Sequence, residues 1–245
     1  MKNFLVLFFI MIATKLSVQS ITGDEILKKL DENMTSDTKI VVSKMIIHSR
    51  RGSRTIEAKS WIQGTTRSFT EYLAPAREKG TKMLKLEDQL WMYSPSTDRT
   101  IRIAGHMLRQ SVMGSDLSYE DMLEDPKLQN SYTAKVIGEE ILNDRSCWVL
   151  ELTGKKEDLA YHTRKVWVDK ERYVTLMENR YAISGKLLKS TKIQDVRRIE
   201  NRWVPMQIVF KDELKSGGGT EFILESIEFN ADIPDYIFSK AALKR

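Results

Sequence analysis

Residues 69–122 read FTEYLAPAREKGTKMLKLEDQLWMYSPSTDRTIRIAGHMLRQSVMGSDLSYEDM, and this stretch decides the fold class. The residues that punctuate its first half with turn signals are Pro75, Gly80, Asp88 and Pro95. Between them lie runs rich in apolar and aromatic residues, such as 82–86 and 90–93, which favour short antiparallel strands. Proline cannot donate the hydrogen bond that a central strand needs, so residues 74–79 and 94–99 are predicted to be turns.

The second half of the stretch differs, because residues 104–115 show no clean alternation and contain Gly105 and Gly114. The apolar side chains of this segment are Met107, Leu108, Val112 and Met113. We expect a mobile apolar flap here rather than a strand. Ser118 is followed three residues later by Asp121, which is the spacing of a capping box, so a short helix is predicted to begin there.

This combination of turns, strands and loop resembles the outer-membrane lipoprotein-sorting protein family, the LolA-like proteins. The pattern that carries the resemblance is Pro75, Lys79-Gly80-Thr81, Leu84, Trp91-Met92-Tyr93-Ser94-Pro95, Arg102-Ile103 and Met113-Gly114-Ser115-Asp116-Leu117-Ser118-Tyr119-Glu120-Asp121. The resemblance is dense over residues 69–122 and looser over the rest of the mature chain. It implies helices across the mouth of a strongly curved sheet, an acylated lipoprotein or lipid as cargo, an inner-membrane transporter that loads the carrier, and an outer-membrane acceptor.

The N-terminus carries a targeting signal. Lys2 precedes an apolar run over residues 4–13, which has the length of a signal-peptide core and is too short to span a bilayer. Val18 and Ser20 are small enough for a cleavage site, so the prediction is a signal peptide at 1–20 and a single LolA-like half-barrel domain at 21–245. A hydrophobic content of 41% and a mean hydropathy of −0.38 suit one soluble core. We therefore expect export to the periplasm.

The rest of the chain predicts a mainly β fold. A capping box at Thr22 and Glu25 starts one amphipathic helix, and from Lys39 onward short alternating runs recur with turn chemistry between them. About eleven strands in a meander predict a strongly curved antiparallel sheet, an incomplete barrel with helices as a lid over a hydrophobic concavity.

The apolar faces of these strands and of the flap supply the candidate ligand-binding residues. They are Leu84, Trp91, Tyr93, Ile103, Met107, Leu108, Val112, Met113, Trp148, Leu150, Val204, Met206, Ile208 and Phe210. Such faces line either an ordinary packed core or a cavity for acyl chains, and the sequence leaves both open. Methionine suits a pocket for variable aliphatic chains because its side chain is flexible and polarizable.

Nothing in the sequence predicts catalysis. The three histidines lie far apart, and motifs such as HExxH, GxSxG and the phosphate-binding loop are absent, so we expect neither catalytic residues, metal ligands nor cofactors. The single cysteine, Cys147, falls on the opposite strand face from Trp148 and Leu150 and is expected to be structural. A net charge of +5 without a clustered basic stripe argues against nucleic acid as a partner. A monomer is expected.

The sequence thus predicts a periplasmic carrier that binds the acyl chains of lipoproteins or lipids in a hydrophobic cavity and passes them towards the outer membrane. Two alternatives remain at this point. One is a carrier of a free lipid or other hydrophobic molecule that works with an inner-membrane transporter. The other is a periplasmic sensor that binds a lipid or a protein.

Overall fold

The computed structural model describes residues 21–50 and 52–245, so the predicted signal peptide lies outside the described residues. The α-helices are α1 (Gly23–Met34), α2 (Tyr119–Leu123) and α3 (Leu128–Ser131). The 3₁₀ helices span Gly105–Arg109, Val112–Gly114, Asp235–Phe238 and Lys240–Lys244. The strands are β1 (Thr38–Ser49), β2 (Gly52–Gln63), β3 (Arg67–Ala74), β4 (Lys82–Leu86), β5 (Gln89–Ser94), β6 (Arg99–Ile103), β7 (Tyr132–Leu142), β8 (Arg145–Gly154), β9 (Thr163–Asp169), β10 (Thr175–Tyr181), β11 (Leu187–Ile199), β12 (Arg202–Asp212) and β13 (Gly219–Phe229).

All thirteen described strands form one antiparallel sheet, in the order β6-β5-β4-β3-β2-β1-β13-β12-β11-β10-β9-β8-β7. Two meanders, β1 to β6 and β7 to β13, meet where β1 pairs with β13. The outermost strands β6 and β7 do not pair with each other, so the sheet curves without closing. The predicted fold class, a mainly β open half-barrel with helices over its concave face, is confirmed.

The thirteen described strands exceed the predicted count of about eleven, and β6 is one strand that the sequence pattern does not predict. Its sequence is RTIRI, and only Ile103 is buried. An edge strand has one solvated side and often carries charged residues, which weakens the apolar signal by which strands are recognised.

Helix α1 covers the β7 end of the concave face. Ile26 and Leu27 are fully buried in a cluster with Leu150, Leu152 and Val166. The predicted capping box at Thr22 and Glu25 is present. In the middle of the helix, the buried Asp31 carboxylate accepts the backbone N–H groups of Leu128 and Gln129 at 3.0 and 2.9 Å, which ties α1 to the start of α3.

The connection from β6 to β7 covers the other end of the concave face. Its two 3₁₀ helices and α2 pack on a cluster that includes Met45, Ile56, Met83 and Leu90. The predicted capping box of α2 is present, with Ser118 and Asp121 exchanging hydrogen bonds. We call residues 105–123 the lid.

The convex face has its own cover. Residues 231–243, after the last strand, pack on Phe69, Leu84 and Trp91. Leu84 and Trp91 therefore point away from the concave face, since Met83 and Lys85 alternate with Leu84 and point into it. Cys147 is buried on the face opposite Leu150, as the alternation predicts.

The contact between α1 and β7 leads to a test at Gly23. A Cβ atom at this position would lie 2.4 Å from the backbone O of Ala134, whereas a Cβ at Gly138, also on β7, would meet nothing within 4 Å. Alanine favours a helix over glycine by about 1 kcal/mol. We nevertheless expect Gly23→Ala to lower the unfolding free energy by about 1–3 kcal/mol, because the clash is with backbone. Gly138→Ala is the control and should change it by less than about 0.5 kcal/mol in urea titrations. A neutral Gly23→Ala would contradict this packing.

Candidate functional site

The concave face keeps a cavity between the lid, α1 and the sheet. Its main compartment has a volume of about 440 Å³. Met34 at the end of α1 and Met122 in α2 line it from above, and Ile62, Ile208 and Phe210 line it from the sheet. Ligand pockets in proteins typically measure about 300–1,000 Å³, so the compartment is large enough for a small molecule or part of a lipid.

Two smaller compartments continue from it and are mainly apolar. One, of about 200 Å³, shares Met34, Ile62 and Ile208 with the main compartment and is otherwise bounded by residues such as Phe229. The other, of about 230 Å³, lies under the lid and shares Phe222 with its neighbour. Shared wall residues show that the three compartments adjoin one another, and the two smaller ones are mainly apolar.

A further cleft of about 540 Å³ lies outside this space, at residues 157–161. Most of the side chains around it are charged or polar, including Arg109, Glu157 and Asp158. A cleft with a mainly polar lining offers little apolar surface to a ligand, so the cavity beneath the lid is the better candidate although its main compartment is smaller.

A buried ionic network closes one side of the main compartment. Arg164 is 2% exposed, and its Nη1 and Nη2 donate to Glu178 Oε1 at 2.9 Å and Glu124 Oε1 at 2.5 Å. Arg180 donates to the second oxygen of Glu178 at 2.9 and 3.0 Å. Since Glu124 immediately follows α2 and the other three residues lie on β9 and β10, the network joins the lid to the far wall of the sheet.

The same network includes the N-terminal turn of α2. Asp121 accepts hydrogen bonds from Lys189 of β11, from Ser118 and, at 2.6 Å, from the Tyr161 hydroxyl. Burial alone raises the pKa of Asp121, but the charges of Lys189 and Arg180 lower it below its ordinary value. The carboxylate therefore stays ionised and holds α2 against β11.

Two other carboxyl groups of the network are shifted in opposite directions. Burial raises the pKa of Glu178, but the adjacent Arg180 and Arg164 outweigh it and lower the pKa to about 2. At Glu124, burial outweighs the attraction of the same two arginines and raises the pKa above its ordinary value. Glu178 is thus the permanent anion that both arginines share.

Two lysines of the main compartment differ from this network because neither forms an ion pair within the described residues. Lys85 is 7% exposed, and its Nζ donates only to the backbone carbonyls of Leu123 and Glu124, at 3.4 and 3.3 Å, while the more distant charges of Asp125, Glu124 and Glu87 partly stabilise its ammonium group. Lys39 lines two compartments, and its side chain makes no hydrogen bond or ion pair within the described chain. Burial lowers the pKa of both lysines below the ordinary value.

The structure separates the sequence-predicted site residues into groups. Those that line the cavity are Val112, Val204, Ile208 and Phe210. Those that pack between the lid and the sheet are Ile103, Met107, Leu108 and Met113. Those beneath α1 are Trp148 and Leu150. Leu84, Trp91 and Tyr93 belong to the cluster on the convex face, and Met206 packs with Val204 and Phe229 without lining the cavity. Ligand contact stays a prediction for all of them.

Sequence reasoning missed several cavity residues, among them Lys39, Ile62, Lys85, Met122 and Phe222. Period-two alternation was the available signal for Lys39 and Ile62, which lie in long strands on the same face as known core positions. No local signal marks Met122 or Lys85, because their place in the wall depends on where the lid crosses the sheet.

Two further features of the described residues concern metal-binding groups and membrane-spanning helices. Within residues 21–50 and 52–245, His, Cys, Asp and Glu side chains do not come together in groups that would hold a metal ion. In the same part of the chain, no helix is both long enough and apolar enough to cross a membrane.

The ionic network predicts a pH effect that removal of Glu178 should expose. Its folded-state pKa of about 2 lies below the ordinary value of 4.5, so its stabilisation is complete above about pH 4.5 and is lost as the pH falls towards 2. Glu178→Gln leaves two buried arginines short of an anion and should cost about 3–5 kcal/mol at pH 7. It should also flatten the acid dependence of the unfolding free energy between pH 4.5 and 2.

The matched control is Glu171→Gln. Glu171 pairs with Arg145 at 2.7 Å, but its side chain is 79% exposed, so the change should cost at most about 1 kcal/mol. Urea unfolding at several pH values measures both variants. Equal losses for the two substitutions at pH 7 would show that the buried network does not anchor the lid.

Three solved structures have this fold over nearly the whole chain. A DUF1329 family protein from Desulfovibrio piger aligns with a TM-score of 0.82 at 24% identity, covering 90% of this chain and 97% of its own. A domain assigned to outer membrane lipoprotein sorting from Vibrio parahaemolyticus gives 0.80 at 23%, covering 91% and 98%. A LolA superfamily protein from Nitrosomonas europaea gives 0.76 at 25%, covering 91% and 100%.

Sequence comparison gives a family as well. No curated protein matches this chain significantly. A family model described as "Uncharacterized protein" matches residues 64–245, which is most of the chain and includes the stretch that carries the resemblance. That resemblance is confirmed: the chain belongs to the family that this model describes, and it is a LolA-like protein.

Proposed function

We propose that this protein is a periplasmic carrier that holds the acyl chains of a lipoprotein or lipid in the cavity and passes them towards the outer membrane. The observation that carries the proposal is the group of adjoining compartments beneath the lid, one of about 440 Å³ with a partly charged wall and two mainly apolar ones of about 200 and 230 Å³. A filled core would leave no such space, because protein interiors are close-packed.

The lining supplies the driving force for binding. Burial of a methylene group is worth about 0.8 kcal/mol, so a long acyl chain gains several kcal/mol on entering the cavity. Its apolar wall consists of aliphatic and aromatic side chains such as Met34, Met122, Ile208 and Phe222, beside the charged wall described above. No bond needs to be made or broken, so the carrier role asks for no catalytic group.

The lid provides a route for entry and release. Its first 3₁₀ helix, Gly105–Arg109, has no buried residue and contacts the sheet through partly buried Met107 and Leu108, whereas the second contributes the buried Val112 and α2 is fixed by buried ion pairs. Partly exposed apolar contacts are weaker than a close-packed core, so the first 3₁₀ helix is the part that exchanges its contacts for contacts with the cargo. The cargo donor and the acceptor follow from the family resemblance, as an inner-membrane transporter and an outer-membrane acceptor.

The direct test is native mass spectrometry of the protein purified from the periplasm without detergent, followed by solvent extraction of any bound molecule. A released acylated species supports the carrier and identifies its cargo class. Transfer is then measured by incubation of the loaded protein with vesicles. A protein that is empty and takes up no added lipid would overturn the proposal, and a protein that binds lipid but never exchanges it would favour a sensor.

The lid contact is tested by Leu108→Asp. A charged side chain under the 3₁₀ segment cannot stay buried without a partner, so the lid should open and lipid retention should fall about tenfold. Folding should be retained, because Leu108 lies outside the buried core. The control is Ile183→Asp, at a side chain that is 76% exposed in the β10 to β11 connection. Dissociation rates of a fluorescent fatty acid measure both, and equal rates would exclude a lid function for Leu108.

The cavity itself is tested by Ile208→Trp. Ile208 borders two compartments, so an indole at this position should fill the space that an acyl chain needs and weaken fatty-acid binding about tenfold or more. Val209→Trp is the matched control, because Val209 is the next residue of β12 and points to the other face. Equilibrium titration with the same fluorescent fatty acid compares them. Unchanged affinity in Ile208→Trp would place the binding site elsewhere.

A further inference from the structure

Some charged side chains in the cavity wall form ion pairs, and others do not. Arg164 and Arg180 share Glu178 and Glu124, and Lys189 neutralises Asp121. The remaining acid in the wall is Asp125, whose oxygens accept from the Lys127 N–H and from Asn130 Nδ2 at 2.9 and 2.7 Å. None of these acids forms an ion pair with the two lysines, although the charges of Asp125 and Glu124 act on Lys85 from a greater distance.

Lys39 and Lys85 face the main compartment without a direct ion pair. Both belong to the concave face, Lys39 at the start of β1 and Lys85 in β4, so they border the same space from two different strands. The Lys85 side chain makes only two long hydrogen bonds to carbonyls, and the Lys39 side chain makes none within the described residues. A third cation of the wall, Arg67, is exposed and donates to Gln63 Oε1 at 3.3 Å.

An ammonium group in such a place is costly, because burial removes its water without supplying an anion at ion-pair distance. At Lys85 the more distant carboxylates offset only part of this cost, since the net effect on its pKa is still a lowering. Lysines of this kind are rarely fully buried in proteins unless they are paired. The lowered pKa values of Lys39 and Lys85, which burial causes in both cases, express the same cost. An anion that entered the compartment would supply the missing partner.

The apolar compartments lie directly beside these lysines. Lys39 itself borders the 200 Å³ compartment together with Val41, Leu224 and Phe229. A molecule with both a negative group and a hydrocarbon chain would pair with the lysines and fill the apolar compartments at the same time. A neutral lipid would leave the ammonium groups unpaired, and a free anion would leave the apolar compartments unfilled.

We propose that the cargo is an anionic amphiphile whose phosphate or carboxylate group lies against Lys39 and Lys85 while its hydrocarbon chain fills the apolar compartments. This inference rests on the proposed carrier function and narrows the class of its cargo. The headgroup chemistry is that of an acidic lipid or a fatty acid, and Lys39 and Lys85 select it from neutral lipids.

The experiment compares four probes by native mass spectrometry and calorimetry on the protein purified from the periplasm and stripped of lipid. The probes are hexadecyl phosphate, hexadecanoate, the neutral hexadecanol and inorganic phosphate. The wild-type protein should bind the two charged amphiphiles at least tenfold more tightly than hexadecanol. Inorganic phosphate alone should bind at least a hundredfold more weakly than hexadecyl phosphate, because it cannot use the apolar compartments.

The double variant Lys39→Met/Lys85→Met keeps the side-chain length and removes both charges. Its preference for charged amphiphiles over hexadecanol should fall below about threefold, with hexadecanol affinity unchanged, which also shows that the cavity still folds. The control is Lys44→Met, because Lys44 lies on β1 but pairs with Glu225 at 2.5 Å on the other face, and this change should leave the preference intact.

The possible failures are distinguishable. If the wild-type protein binds hexadecanol and hexadecyl phosphate equally, the anionic cargo is wrong and the carrier function stands. If inorganic phosphate competes as strongly as hexadecyl phosphate, the lysines form a free-anion site and the amphiphile is wrong. If none of the long-chain probes binds, the carrier function itself fails. A preference that survives the double substitution would show that the selection does not come from Lys39 and Lys85.

Discussion

The curved sheet of this protein does not close into a barrel, and the placement of the helices, the lid and the cavity depends on that open edge. Strands β6 and β7 end the sheet on either side without pairing, so the concave apolar face must be covered by other parts of the chain. Helix α1 covers the β7 end and the lid covers the β1 to β5 end. Two separate covers on one curved surface meet imperfectly, and the cavity lies where they meet.

The two covers are held by different interactions, which gives them different mobility. Hydrophobic burial holds α1, because Ile26 and Leu27 are fully enclosed and Asp31 binds the start of α3. Buried ion pairs hold α2 and the buried Val112 holds the second 3₁₀ helix, whereas the first 3₁₀ helix, Gly105–Arg109, keeps only partly buried contacts. A buried ion pair adds orientation more than net stability, since desolvation offsets most of its attraction. The network therefore positions the lid over the cavity and leaves the adjoining segment free to exchange contacts.

Much of the fold followed from local signals. The two capping boxes, the turn residues between 75 and 95, and the alternation of the long strands are properties of short stretches of chain, and the structure confirms them. It was harder to predict which face of the sheet the apolar side chains of β4 and β5 point to. Leu84 and Trp91 are as apolar as the residues of the concave face, yet they pack under residues 231–243 on the convex side. A strand covered on both faces is apolar on both, so alternation cannot say which face is the inner one.

The sequence by itself determined the strand-rich architecture and the starts of α1 and α2, because periodicity, capping and turn chemistry act over a few neighbouring residues. The LolA-like class came from the resemblance carried by residues 69–122. Only the tertiary structure decided which apolar residues border empty space and which charges lack a partner. Lys39 and Lys85 illustrate this, since each looks like an ordinary strand lysine in the sequence. The two lysines border the same cavity only when β1, β4 and the lid come together across the curved sheet. These contacts join residues far apart in the chain, so no short stretch of sequence predicts them.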